Sequence, residues 1–224
     1  SAMMSFAGAK RVDGIDYSKE AVSLANKKIN IENVSFIVED AHTVKGRYDV
    51  IVMAGVLEHI DQPFDLIDKL VKENLNDGGV IVTASPSFLN PRGYVWMTLQ
   101  VLLDVPMSLS DVHFFMPSDF NNYASSRNLK VSMTSIDQGW GGGKRTILDF
   151  KKRLVNALRD KKLNNEKVPE FLEWFEEAIE YFNHDSDSGA IMVTSIYKYR
   201  EQHMRVSVIG CGNIADIYFK NSKQ

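Results

Sequence analysis

Asp16 stands where an apolar strand meets a helix. The stretch Arg11–Ser18 reads R-V-D-G-I-D-Y-S: strand-forming residues run up to the acid, Ser18 can cap a helix, and Glu20 falls in its first turn. A carboxylate at the C-terminal tip of a buried strand can accept two hydroxyl hydrogen bonds, which is how open α/β sheets hold a ribose. The same residues also make an ordinary N-cap turn. Two glycine-rich stretches invite a phosphate reading. Gly139–Gly143 (G-W-G-G-G) precedes Lys144 and Arg145, but no G-K-[ST] follows, so it reads as a flexible loop beside a hairpin. Gly210, Gly212 and Ala215 fit the dinucleotide fingerprint G-x-G-x-x-A, at the end of a strand Arg205–Ile209. The five histidines are scattered and the single cysteine, Cys211, has no partner at zinc spacing, so no metal site is expected.

Composition sets the frame for these residues. The 224-residue chain can bury one sizeable core, or one domain plus a fragment. A hydrophobic fraction of 44% and a charged fraction of 25% are ordinary for a globular protein. The net charge of −3 gives no reason to expect nucleic acid or an anionic membrane as a partner. No apolar run approaches the length of a membrane span. A lone cysteine excludes an internal disulfide and fits a reducing, cytoplasmic compartment. Ser1–Ala2–Met3 reads as an expression remnant ahead of a start Met, and no secretory signal is visible.

The elements alternate. After a helix tail closed by Gly8 come a strand Arg11–Asp16, a helix Lys19–Ile29, a strand Val34–Val38 and a strand Tyr48–Ala54. The last of these is the most apolar, as a central parallel strand should be. A helix Pro63–Val71, a turn Asn76–Gly79 and a strand Val80–Ala84 follow. Strict alternation predicts α/β architecture with a mostly parallel sheet and right-handed crossovers. Ser85–Val112 interrupts the rhythm with Pro86, Pro91, Pro106 and an apolar helix Tyr94–Val105; an insertion there lies over the ligand crevice as a lid, or packs as a bulky helix on the core. A helix Ser118–Arg127, a strand Leu129–Ile136, amphipathic helices Thr146–Lys161 and Pro169–Asn183, and a strand Ala190–Tyr199 complete the domain. Residues 204–224 stand apart behind a polar linker.

In this order the segments of Arg11–Asp119 resemble the small-molecule branch of the class I S-adenosylmethionine-dependent methyltransferases. V-D-G-I-D-Y-S looks like that family's second strand, V-S-F-I-V-E-D-A-H like its third, Y-D-V-I-V-M-A-G-V-L-E-H-I like its fourth, N-D-G-G-V-I-V-T-A-S-P like its fifth, and H-F-F-M-P-S-D-F like the start of its late helix. The resemblance implies a Rossmann-like sheet of order 3-2-1-4-5-7-6, with strand 7 antiparallel, helices on both faces and helical insertions after strands 5 and 6. It implies S-adenosyl-L-methionine as cofactor. Asp16 would then hold the ribose and Tyr17 would pack near the adenosine. Asp40 and the Ala41 backbone would read the adenine, and Ala54, Val56 and Leu57 would line the methionine end. Glu58 and His59 would face the reaction centre. Methyl transfer is governed by proximity and orientation, with a general base useful for a hydroxyl acceptor; His59 and His113 are the candidates. Arg92 and Tyr94 of the insertion could bind an acidic or glycosidic acceptor. The acceptor is expected to be a small molecule, hydrophobic or sugar-linked.

The resemblance departs at its beginning: the family's first strand and glycine-rich loop have no counterpart ahead of Arg11. M-R-V-S-V-I-G-C-G-N-I-A-D, from Met204, looks instead like the opening of the glucose-fructose oxidoreductase and inositol dehydrogenase family. Val208 and Ile214 stand where the methyltransferase loop would prefer an acid and a glycine. Two readings follow. Residues 204–224 are a fusion fragment, or they serve as a surrogate first strand that brings Gly210 and Gly212 to the cofactor. Lys198–Met204 extended spans roughly 23 Å, enough to cross three strand spacings of roughly 14 Å. The same filling could come from a second copy, giving a homodimer with strand exchange. The different-class alternative is a catalytically impaired binding or assembly module.

Overall fold

The computed structural model describes residues 1–198. A short helix α1 (Ala2–Phe6) leads through Gly8, at φ +96°, into β1 (Val12–Asp16). Helix α2 (Lys19–Lys28) starts as its sequence requires: the Ser18 hydroxyl accepts the Ala21 N–H at 3.1 Å, Glu20 lies in the first turn, and Lys27 and Lys28 lie in the last. Strand β2 (Val34–Val38) then pairs in parallel with β1, Val12 opposite Val34.

A second sheet carries the rest. Strand β3 (Tyr48–Ala54) pairs in parallel with β4 (Leu75–Pro86); β4 pairs antiparallel with β6 (Ile191–Tyr197), and β6 antiparallel with β5 (Lys130–Ile136). The order is β3-β4-β6-β5, so β6 is the antiparallel late strand the resemblance implies. Among the described residues no strand pairs with both β1 and β3. Among the described residues β3 has a strand neighbour on one side only, and Val50 and Val52 are 51% and 43% exposed. One side-chain link crosses from β3 to β1: the Tyr48 hydroxyl lies 3.2 Å from Asp13 Oδ2. Burial pushes the Asp13 carboxyl up, but hydrogen bonds from Ser35, Arg11 and Tyr48 outweigh it and hold the group below its ordinary value.

Two apolar cores divide the second part. The first lies between β3, β4 and β6 and the helices α3 (Pro63–Lys69) and α5 (Pro117–Ser125), with Leu66, Ile67, Ile81, Phe120 and Ile196 fully buried. Helix α3 runs into a turn of π-helix, Leu70–Asn74. Helix α5 begins one residue before the expected Ser118. Pro117 takes the first helical position, and the Asp119 carboxylate accepts the Met116 N–H at 2.7 Å. The second core belongs to α4 (Pro91–Leu103), α7 (Lys144–Asp160) and α8 (Val168–Ala178), which enclose Trp96, Phe150 and Phe175. The insertion is thus neither a bare lid nor a helix laid on the sheet. It packs with α7 and α8 into a cap with its own interior. Gly139–Gly143 is not a flexible loop: Asp137 caps a short helix α6 (Gln138–Gly142), and a Cβ at Gly141 would sit 2.4 Å from the Ser188 carbonyl oxygen. The glycine there permits close packing.

An ion pair fastens α5 to α3. Asp68 accepts from Arg127 Nε at 2.5 Å, Arg127 Nη2 at 2.8 Å and the Tyr123 hydroxyl at 2.8 Å, with the guanidinium 4.3 Å over the Tyr123 ring. The Arg127 hydrogen bonds hold the Asp68 carboxyl below its ordinary value against a burial effect that opposes them. A depressed carboxyl stabilises the fold above its unfolded-state value and loses that contribution as pH falls through the folded one. Asp68→Asn is expected to cost roughly 1 kcal/mol at neutral pH. Thermal unfolding should show this cost shrinking in acid; a loss that does not change with pH would contradict the assignment.

Candidate active site

The C-terminal ends of β3 and β4 open into a crevice of ≈ 1140 Å³, roofed by residues of α4, α7 and the segment before α5. Strand ends of this kind are where open α/β sheets bind ligands. The backbone turns sharply at the floor: Gly55, at φ +65°, donates its N–H to the Ala84 carbonyl at 2.8 Å. A side chain there would be strained, and its Cβ would enter the crevice 3.8 Å from Glu58 Oε1. The turn of 3-10 helix that follows, Leu57–His59, sends three successive side chains in different directions. Leu57 enters the first core, fully buried. Glu58 lines the crevice and is 4% exposed; its Oε2 accepts the Ser85 hydroxyl at 3.0 Å, tying β3's end to β4. His59 points elsewhere.

Neither histidine proposed from sequence lines the crevice. His59 Nδ1 lies 2.9 Å from the Ser110 carbonyl oxygen and 3.5 Å from Asp111 Oδ1. His113 Nε2 lies 3.2 Å from the Asp61 carbonyl oxygen, and its ring stacks on Phe115 at 5.6 Å. A carbonyl oxygen only accepts, so each ring donates a proton through that nitrogen. The Val112 and His113 N–H groups also donate to the Glu58 carbonyl, at 2.9 and 3.3 Å. The histidines therefore fasten the 108–113 segment over the turn that carries Glu58.

The other expected site residues fall into separate places. Ala54 lines the crevice; Val56 packs against the first core, as does Ala41. Asp16 and Asp40 lie at the tips of β1 and β2, outside the crevice lining. Asp16 Oδ1 accepts the Ser18 N–H at 2.8 Å. Asp40 Oδ1 accepts the His42 N–H at 2.7 Å and lies 3.0 Å from His42 Nδ1. The backbone hydrogen bond from His42, reinforced by its ring, keeps the Asp40 carboxyl below its ordinary value. Each acid keeps its Oδ2 without a hydrogen-bond partner among the described residues. Tyr17 is exposed. Gly210 and Gly212 lie outside the described residues, as does the whole of 204–224. Among the described residues no three acidic, histidine or cysteine side chains gather as a metal site, and no helix is long and apolar enough to cross a membrane.

Residues 3–137 match the methyltransferase domain family. The chain belongs to that family. The match takes in β1 to β5 and the turn that carries Glu58, and stops as α6 begins. The cap helices α7 and α8 therefore lie beyond the family's shared part. Three solved structures share the fold. The putative methyltransferase solved with the Trm112 methyltransferase activator of Haloferax volcanii is 14% identical, with a TM-score of 0.53 over 89% of this chain and 76% of that one. The YcgJ protein from Bacillus subtilis is 13% identical, with a TM-score of 0.51 over 89% and 87%. The S-adenosylmethionine dependent methyltransferase from Mesorhizobium loti is 12% identical, with a TM-score of 0.51 over 88% and 84%. No curated protein matches the chain.

Proposed function

We propose that this methyltransferase moves a methyl group from S-adenosyl-L-methionine to a hydroxyl of a small molecule seated in the crevice, with Glu58 as the base. The observation that carries the proposal is the burial of Glu58 at the crevice floor, where Ser85 fixes one carboxylate oxygen and Oε1 stays available. The residues at the strand tips fit the cofactor's adenosine. Asp16 and Asp40 each present an acceptor oxygen beyond the C-terminal end of a parallel strand, and the residue at Gly55 has no Cβ to obstruct the approach to Glu58.

In this reading Asp16 accepts the ribose hydroxyls and Asp40 the adenine amino group. S-adenosyl-L-methionine held there would supply an electrophilic methyl on a sulfonium, with the neutral thioether as leaving group. Glu58 Oε1 holds the acceptor hydroxyl and takes its proton as the oxygen bonds to the methyl carbon. Ser85 prevents the carboxylate from rotating away. The cap helices keep water from the acceptor side. A crevice of this size between sheet and cap suits a small molecule better than a nucleic acid or a folded protein.

Isothermal calorimetry with S-adenosylmethionine tests the cofactor half. The protein should bind it, and Asp16→Ala should weaken binding by about 10–100-fold, the loss expected when hydrogen bonds to a charged group are removed. No heat of binding at millimolar cofactor would remove the methyl-transfer reading and leave a binding or assembly module in its place.

A further inference from the structure

Arg92 is only partly used by the fold. It is the second residue of α4, and its Nε–H donates to Asp149 Oδ2 at 3.0 Å. Its two terminal nitrogens have no hydrogen-bond partner among the described residues, although the side chain is 9% exposed. These nitrogens are not among the enclosed, unpartnered side-chain atoms of the described residues, so they keep contact with solvent. Arg92 lines the crevice, so the four N–H groups on those nitrogens are presented to crevice space.

Asp149, 4% exposed, is shared: it also accepts from Trp96 Nε1 at 3.1 Å and from Arg153 Nη1 at 3.1 Å. Arg153 in turn donates to the Met107 carbonyl, and its guanidinium lies 4.7 Å from the Trp96 ring centroid. Two guanidiniums therefore face one carboxylate. Asp111 also acts on Arg92 through its field, and its carboxylate stands 3.5 Å from His59 Nδ1. The face of Trp140 lies beside the free end of Arg92, with 5.7 Å from Cζ to ring centroid. On the floor stands the opposite charge, Glu58.

We infer that the methyl acceptor is a small carboxylic acid, whose carboxylate is gripped by the two terminal nitrogens of Arg92 beside Trp140 while its hydroxyl reaches Glu58. The inference rests on reading the crevice as the acceptor site. A planar guanidinium matches a carboxylate in bidentate geometry. One guanidinium fork pairs one carboxylate, whereas a dianionic phosphate would call for a second cation. Arg92 thus sets specificity, and Glu58 acts on the far end of the same molecule.

Matched acids and primary amides decide it. Benzoate, 4-hydroxybenzoate, indole-3-acetate and octanoate, each beside its amide, are titrated against the full chain with and without saturating S-adenosylhomocysteine, and tryptophan fluorescence is followed. At least one acid should bind about tenfold or more tightly than its amide. That preference should fall below about threefold in Arg92→Gln. Trp140→Ala should weaken the acid severalfold. If thermal unfolding shows that Arg92→Gln does not fold, Arg92→Lys replaces it; this variant keeps the charge at Asp149 and gives up the planar fork. Acids and amides binding alike, no acid binding at all, a preference that survives both Arg92 variants, or inorganic phosphate binding more tightly than every acid would each overturn the inference. Cofactor binding and methyl transfer without acid preference sinks this inference alone. Acid preference without any cofactor binding sinks the methyl-transfer reading and leaves the Arg92 site standing.

Discussion

Glu58→Gln is expected to lower the methyl-transfer rate by about 10²–10⁴-fold, the usual contribution of a positioned general base. The substitution keeps the shape of the side chain and an oxygen for the Ser85 hydroxyl, whose present bond to Oε2 is 3.0 Å. Folding and cofactor affinity should therefore stay within about twofold, and the loss should fall on kcat. His59→Gln and His113→Gln serve as the contrast. Their rings are held against the Ser110 and Asp61 carbonyls, outside the crevice, so their effect should be small beside that of Glu58. Steady-state methyl-transfer rates with 4-hydroxybenzoate as the acceptor probe read the difference. A Glu58 variant of full activity, or a histidine variant that loses the larger share, would move the base assignment away from Glu58.

Asp149→Ala should be the most destabilising single change in the cap. It removes the carboxylate that accepts from Arg92, Arg153 and Trp96 at 3.0–3.1 Å and leaves two guanidiniums next to each other in a nearly buried site. Breaking a buried ion pair on one side costs about 3–5 kcal/mol. For a chain of this size that is roughly 10 °C in Tm. Calorimetric unfolding checks it, and near-ultraviolet dichroism should report the loosened Trp96. A double change, Asp149→Ala with Arg153→Met, should recover part of the loss, because one uncompensated cation leaves with its partner. No recovery would mean that packing around Trp96, rather than charge, dominates the site.

Much of this was legible in the sequence because it depends on short-range rules. The Ser18 cap, the apolar β3 and the proline that starts α5 are local features, and the structure places each within a residue or two of expectation. The order β3-β4-β6-β5 with β6 antiparallel agrees with the second half of the order the resemblance implied; the first-strand slot lies outside the described residues. What could not be read was direction around a tight turn. Glu58 and His59 are neighbours in sequence, and only the 3-10 geometry after Gly55 separates an acid in the crevice from a ring outside it. The Arg92–Asp149 pair joins residues 57 apart, on helices whose mutual packing no local pattern encodes. The glycines of α6 misled for a related reason: with no side chain, they read as freedom, whereas Gly141 is glycine because the Ser188 backbone lies against it.

The separation of β1 and β2 from the other strands has a consequence for how the molecule opens. Val22 is the only buried residue ahead of Met53, whereas residues 53–75 alone bury a large share of the first core. Local opening free energy follows buried apolar contact, so among the described residues those of β1, α2 and β2 are expected to open more readily than the second sheet. Amide hydrogens of β1 and β2 should exchange through subglobal opening, orders of magnitude faster than those of β4 and β6. Asp16 and Asp40 sit beside β1 and β2, and Glu58 follows β3. A ligand that touches both would therefore be felt first as slowed exchange at β1 and β2, a protection pattern that spreads across the chain from its weaker part.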